Sequence, residues 1–128
     1  MSARSPDQAW FEKAEQHLEM ARRAMDSRNA LPDMACYHCQ QCAEKYLNGF
    51  LISNSEDFLF VHDLIYLVHQ CEKRFPAFLE LERAADILGR YGAGVRYPME
   101  SFVSPDVEEA MNAIKLAENI ATFVKNNL

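Results

Sequence analysis

No apolar run in this 128-residue chain is long enough to cross a bilayer. The opening stretch, MSARSPDQAWFEKAEQHLEM, has no apolar core and no small-residue cleavage site. No secretory signal is read there, and the expected location is the cytoplasm. Positive charge is also scarce: 13 Lys and Arg stand against 19 Asp and Glu, for a net charge of −6. Non-specific nucleic-acid binding draws its affinity from phosphate neutralisation. A general nucleic-acid coat is therefore excluded, although a local basic pocket is compatible with the balance. Glycine is rare, at 4 residues, and three of these fall close together in GRYGAG. They do not make a P-loop, which ends in Gly-Lys-Ser or Gly-Lys-Thr. No segment shows strand alternation, and none implies a cofactor.

Helical periodicity is what fills the chain. Five segments carry it, which predicts an all-α bundle of four to five helices, up and down, in one domain over residues 1–128. The first runs from about Asp7 to Ser27, with Trp10, Ala14, Leu18, Ala21 and Met25 on one stripe. Pro32 breaks it, and Asp33 is read as the N-cap of a second helix reaching about Ile52. The third begins in VHDLIYLVHQC, with Leu64, Leu67, Val68, Cys71 and Phe75 inward. Pro76 separates it from a fourth, about Ala77 to Tyr91, with Leu81, Ala84, Ala85 and Leu88 inward. A fifth is expected to open at Ser104 with Pro105 at its first helical position and Asp106 and Glu108 in its first turn. Its stripe is Val107, Ala110, Ile114, Ala117, Ala121 and Val124.

The second segment contains ACYHCQQCAEKYL, with Cys36, Cys39 and Cys42 spaced as in a metal site. On a helix, however, Cys39, Cys42, Ala43, Tyr46, Leu47 and Phe50 form one apolar stripe, with Cys36 a further step of three before it. Zinc and iron–sulfur ligands in C-x-x-C pairs sit in turns that bend round the metal. This stretch has neither Gly nor Pro, and the only other thiol is Cys71. The cysteines are therefore expected to be reduced, buried and metal-free.

The opposite stripe is Tyr37, His38, Gln41, Glu44, Lys45 and Asn48. An ordinary solvated face would read this way, and so would a polar cavity or an interface. Arg90 and Arg96 flank the glycine-containing stretch, and Tyr97 follows Arg96. One reading ends a helix at those glycines. The other brings Arg90 and Arg96 to a pocket lined by Lys45 and Gln41. Such a set suits a nucleotide, with guanidinium and ammonium for phosphate, Tyr for stacking and Gln for base or ribose. Arg96 could equally form a structural pair with Glu44.

The motifs together resemble a known family. CYHCQQCAEKYLNGFL is similar to the second helix of HEPN domains, VHDLIYLV to their H-[DS]-L-x-x-L element, and Arg96–Tyr97–Pro98 to the R-Y-P before their last helix. The likeness runs from about Trp10 to Val124. It implies an all-α bundle, a homodimer, and in many bacterial members a partnership with a minimal nucleotidyltransferase in a toxin–antitoxin or nucleotide-handling pair. Some members are metal-independent RNases that carry an Arg followed within four to six residues by a His. No such His follows Arg90 or Arg96, and none occurs after His69. Arg cannot act as a base near neutral pH, whereas His titrates in the useful range. The resemblance therefore implies an interaction module for a nucleotide or RNA, without RNase activity. The alternatives are an RNase using His38 or His62, and a metal- or redox-active cysteine bundle. Tyr37, Tyr46, Phe58, Phe60, Tyr91 and Phe102 are more aromatic surface than one small bundle needs, which also predicts a dimer.

Overall fold

The structure is a computed structural model, and it describes residues 5–26, 28–92 and 103–128. Its elements are α1 (Pro6–Met25), α2 (Pro32–Ser53), α3 (Leu64–Glu72), a 3-10 helix (Pro76–Leu81), α4 (Glu82–Gly89) and α5 (Val107–Asn126). There is no strand among the described residues. None of their helices is long and apolar enough to cross a membrane.

Several boundaries differ from expectation, each for a local reason. Pro32 is the first residue of α2, where its missing N–H is no loss and its fixed φ suits the helix. Asp33 is therefore a first-turn residue whose Oδ1 accepts from the Met34 N–H, and not the cap. In α3 the Asp of His-Asp-Leu is the N-cap, with Asp63 Oδ1 accepting from the Tyr66 N–H at 3.1 Å. The expected fourth helix splits in two. Its first part is a 3-10 helix, in which side chains at i and i+3 eclipse, so Phe78 and Leu81 both enter the core. The last helix starts later than read. Asp106 is extended and its carboxylate accepts from the Glu109 N–H at 2.8 Å, so Asp106 caps α5 while Pro105 lies outside it. Val107 is then 53% exposed, and the buried stripe begins at Ala110.

α2 is the central helix, packed against α1, α3, α4 and α5. Gly49 permits its close approach to α1: a Cβ there would come within 2.5 Å of the Phe11 ring. Phe50 anchors its other side, 4.3 Å from Phe78 and 5.3 Å from Phe75 between ring centroids. Cys36, Cys39, Cys42 and Cys71 are buried in the common core, as their helical spacing predicts. Two aromatics expected at an interface are not available to one. Tyr46 is buried with its hydroxyl bonded to Glu15, and Tyr91 is buried with its hydroxyl 3.2 Å from Glu109. A ring aimed into a small core has no surface left to offer. Tyr37 and Phe58 are half-buried and Phe60 is exposed, while Phe102 lies outside the described residues.

Candidate functional site

The polar stripe of α2 is not a solvated face. Because α2 has helices on every side, Gln41, Glu44 and Asn48 are at most 5% exposed, and Gln40 joins them at 1%. Burial on this scale requires internal partners, and a closed ring of hydrogen bonds supplies them. Gln41 Nε2 donates to Gln40 Oε1 at 2.7 Å, and Gln40 Nε2 donates to Glu44 Oε2 at 3.3 Å. Lys45 Nζ closes the ring by donating to Gln41 Oε1 at 3.2 Å and Glu44 Oε1 at 3.4 Å. Gln40 Nε2 also reaches the His62 carbonyl at 3.3 Å. Asn48 Oδ1, one turn on, is buried without a partner among the described residues.

His62 sits at the edge of this ring. Its Nδ1 lies 2.9 and 3.1 Å from the two Glu44 carboxylate oxygens, while its side chain is 63% exposed. A buried carboxylate that accepts from Nδ1–H fixes the tautomer and leaves Nε2 with a free lone pair. His62 lines a shallow groove of about 310 Å³ with Asp63, Asp86 and Arg90. Arg90 is in that groove, paired with Asp86 at 3.3 Å, and its described partners do not include Lys45 or Gln41. Arg96 and Tyr97 lie outside the described residues. Gly92, shortly before them in the chain, lies against the Gln40 side chain.

His38 belongs to a second cluster. Its Nδ1 faces the Nδ1 of His17 on α1 at 2.9 Å, with ring centroids 5.2 Å apart. That separation is close to the most that two rings in contact through Nδ1 can reach, so the two nitrogens meet nearly head-on, as in an N–H···N hydrogen bond. Burial, then the positive charges of His38, Lys45 and Lys13, pull the His17 pKa down to about 4, with Glu44 opposing. Burial lowers that of His38 too. Below the ordinary His pKa of 6.5 the unfolded chain therefore takes up a proton that folded His17 refuses. Stability is full above pH 6.5 and is expected to fall as pH drops toward 4. The loss is about 1–2 kcal/mol, less than full linkage because the ring is partly open to screening solvent. Urea melts of wild type and His17→Gln at several pH values check this: the difference between the two should shrink steadily on acidification. A constant difference would show that His17 titrates normally.

Sequence reading missed Gln40 and His17. The Gln-Gln doublet was the available signal for Gln40, but its place beside the cysteine stripe reads as one more polar neighbour. His17 meets His38 only through the packing of α1 on α2.

The family model for the HEPN domain matches residues 8–127. The chain belongs to the HEPN family. Two solved structures agree. One is the crystal structure of TT1696 from Thermus thermophilus, with 26% identity, a TM-score of 0.81 and coverage of 95% of this chain and 98% of that one. The other is an archaeal HEPN homologue, with 26% identity, a TM-score of 0.78 and coverage of 97% and 98%. No curated protein matches the sequence. The helical bundle expected from the resemblance is thus the HEPN bundle.

Proposed function

We propose that this HEPN protein is a nucleotide- or RNA-associated interaction module. It forms a homodimer and pairs with a minimal nucleotidyltransferase in a toxin–antitoxin type system. The observation that carries this reading is the buried polar ring of Gln40, Gln41, Glu44 and Lys45 on the central helix. A network of this kind gives up apolar packing, and a core that needed only stability would be better served by aliphatic side chains. It places Lys45 and His62 at the margin of the bundle. Arg96 and Tyr97 follow in sequence from Gly92, which lies against the ring. Ligand is held without hydrolysis, because no His follows Arg96 at the spacing of HEPN RNases.

Calorimetric titration with ATP, GTP and short RNA tests the binding, and co-purification with a co-expressed nucleotidyltransferase tests the pairing. Arg96→Ala is expected to weaken binding about ten- to hundredfold, the loss of one charge-assisted contact shielded from water. Arg96→Lys should lose much of it too if the contact is bidentate. If Arg96 is instead a structural partner of Glu44, the melting temperature falls without a binding defect. A wild type that binds no nucleotide, no RNA and no nucleotidyltransferase removes the reading. Light scattering at micromolar concentration is expected to give the dimer mass.

A second reading, an RNase with an atypical histidine, rests on the Glu44–His62 pair. A buried carboxylate holding one imidazole nitrogen while the other faces solvent is the arrangement of an oriented general base. RNA cleavage by wild type that disappears in His62→Gln would select it over the first.

A further inference from the structure

His17 on α1 and His38 on α2 meet across the seam between the two helices, Nδ1 to Nδ1 at 2.9 Å. The ring of Gln40, Gln41, Glu44 and Lys45 is bonded without them. Because the two nitrogens meet nearly head-on, an ion placed between the rings is reached by both at once. Burial also keeps both imidazoles neutral at neutral pH, the form that binds metals. Two further soft donors stand on the same seam. α1 and α2 run antiparallel: Phe11 lies against Gly49, Glu15 bonds Tyr46, and the Ala24 carbonyl accepts from the Leu31 N–H at 2.9 Å. Met20 follows His17 by three residues and Met34 precedes His38 by four. Both therefore fall one turn along the seam, on the same side of the pair. Cα–Cβ bonds in a helix tilt toward its N-terminus, so that of Met20 tilts toward the turn of His17 and that of His38 toward the turn of Met34. Both methionines are exposed, so neither is spent on the core.

We propose that the Nδ1 atoms of His17 and His38, joined by the thioethers of Met20 and Met34, form a site for the soft monovalent cation Cu(I). The donor set selects the ion. Among the described residues no group of three His, Cys, Asp or Glu is placed to hold a metal, so Zn(II), which takes four such ligands, finds only two. Imidazole and thioether without a carboxylate suit Cu(I). The surrounding charge favours one positive unit over two: Lys45 and Lys13 act against a cation at His17, and Glu44 acts for it. Metal–nitrogen bonds near 2 Å set two ligand nitrogens roughly 3.3–4 Å apart. The rings must then part by roughly 0.5–1 Å, a small side-chain rotation for half-buried residues. Methionine, unbranched and flexible, closes on the ion from the next turn. The proton held between the two Nδ1 atoms passes through water to Nε2 of its own ring. Cu(I) thus enters without net proton release and without change of oxidation state.

Full-length protein made without a histidine tag is titrated anaerobically with Cu(I) in competition with bicinchoninate, and Ag(I) serves as an air-stable second probe. The chain is expected to withdraw one equivalent of Cu(I) from the chelator and to melt at a higher temperature when loaded, because the ion binds only the folded seam. Zn(II) should leave the melt unchanged. His17→Gln and His38→Gln should each weaken Cu(I) binding by roughly a hundredfold or more, since even the partners behind metal ligands are worth about 10–100-fold. Met20→Leu combined with Met34→Leu should cause a smaller loss without lowering the melting temperature of the metal-free protein. Nitrogen-15 spectra of the wild-type silver complex read the ligand atoms directly: Nδ1 of both histidines should shift, together with the methyl groups of Met20 and Met34. That measurement needs no variant, so it decides the matter even if a histidine substitution disturbs folding. Failure to withdraw copper from the chelator overturns the proposal, as does Zn(II) raising the melt as much as Cu(I). Undiminished binding in both histidine variants would place the metal on the buried thiols and overturn it too. A double methionine variant that binds like wild type, or Nδ1 shifts confined to one ring, has the same force.

Discussion

In the folded protein at pH 8, all four cysteines are expected to react with an aromatic disulfide reagent at least about a hundredfold slower than a free thiol. In denaturant all four should titrate at once. Two effects combine. Burial pushes the thiols of Cys36, Cys42 and Cys71 up to about 12, and that of Cys39 higher still. The reactive thiolate is then about a thousandfold rarer than for a thiol of ordinary pKa, and the greater nucleophilicity of a more basic sulfur restores only about one order of magnitude. The second effect is access. All four residues are fully buried, so reagent enters only after the bundle opens locally. The rate should therefore rise with urea in step with the loss of helical ellipticity. One thiol reacting fast and stoichiometrically while helicity persists would place it outside the core. Stoichiometric zinc or iron, removed by a chelator with loss of helicity, would overturn the packing account of the C-x-x-C-x-x-C run. Elemental analysis of protein made without a histidine tag reads that directly.

Replacing Glu44 by alanine is expected to cost about 2–4 kcal/mol of unfolding free energy, a fall of roughly 10 °C in Tm for a chain of this size. The carboxylate is 4% exposed and receives Gln40, Lys45 and His62. Its removal leaves the Lys45 ammonium, whose side chain is only 18% exposed, with Gln41 alone. It also leaves one Gln40 donor short. An unpaired buried donor costs more than its hydrogen bond contributes when made. Glu44→Gln keeps an acceptor and the shape while losing the charge, so its cost should be about half. Urea denaturation of the three proteins measures this. Phe60→Ala, at an exposed ring, serves as the control that should not move. A Glu44→Ala loss below about 0.5 kcal/mol, the ordinary range for surface positions, would mean that water reaches the ring and that it is no core network.

The bundle was legible in the sequence because a helix buried along one stripe repeats apolar residues at its own period. Ala14, Leu18 and Ala21 on α1, Leu64, Leu67 and Val68 on α3, and Ala110, Ile114 and Ala117 on α5 are read this way and are buried. The same logic placed Cys36, Cys39 and Cys42 in the core, where they are buried. The candidate site was legible only in part. Gln41, Glu44, Lys45 and His38 were picked out as one stripe, but the structure divides them. The first three join Gln40 and His62, His38 goes to His17, and Arg90 pairs with Asp86 at a separate groove. Periodicity reports the angle of a residue around its helix. It does not report how many other helices surround that helix. A polar stripe on an outer helix and one on a central helix look the same in sequence, and only the packing of α1, α3, α4 and α5 around α2 made this one a buried, closed hydrogen-bonded ring. The contacts of His17 with His38 and of Trp10 with Phe60 join residues far apart along the chain. No local pattern encodes such a meeting, because it depends on how α1 comes to rest against α2 and against the connection between α2 and α3.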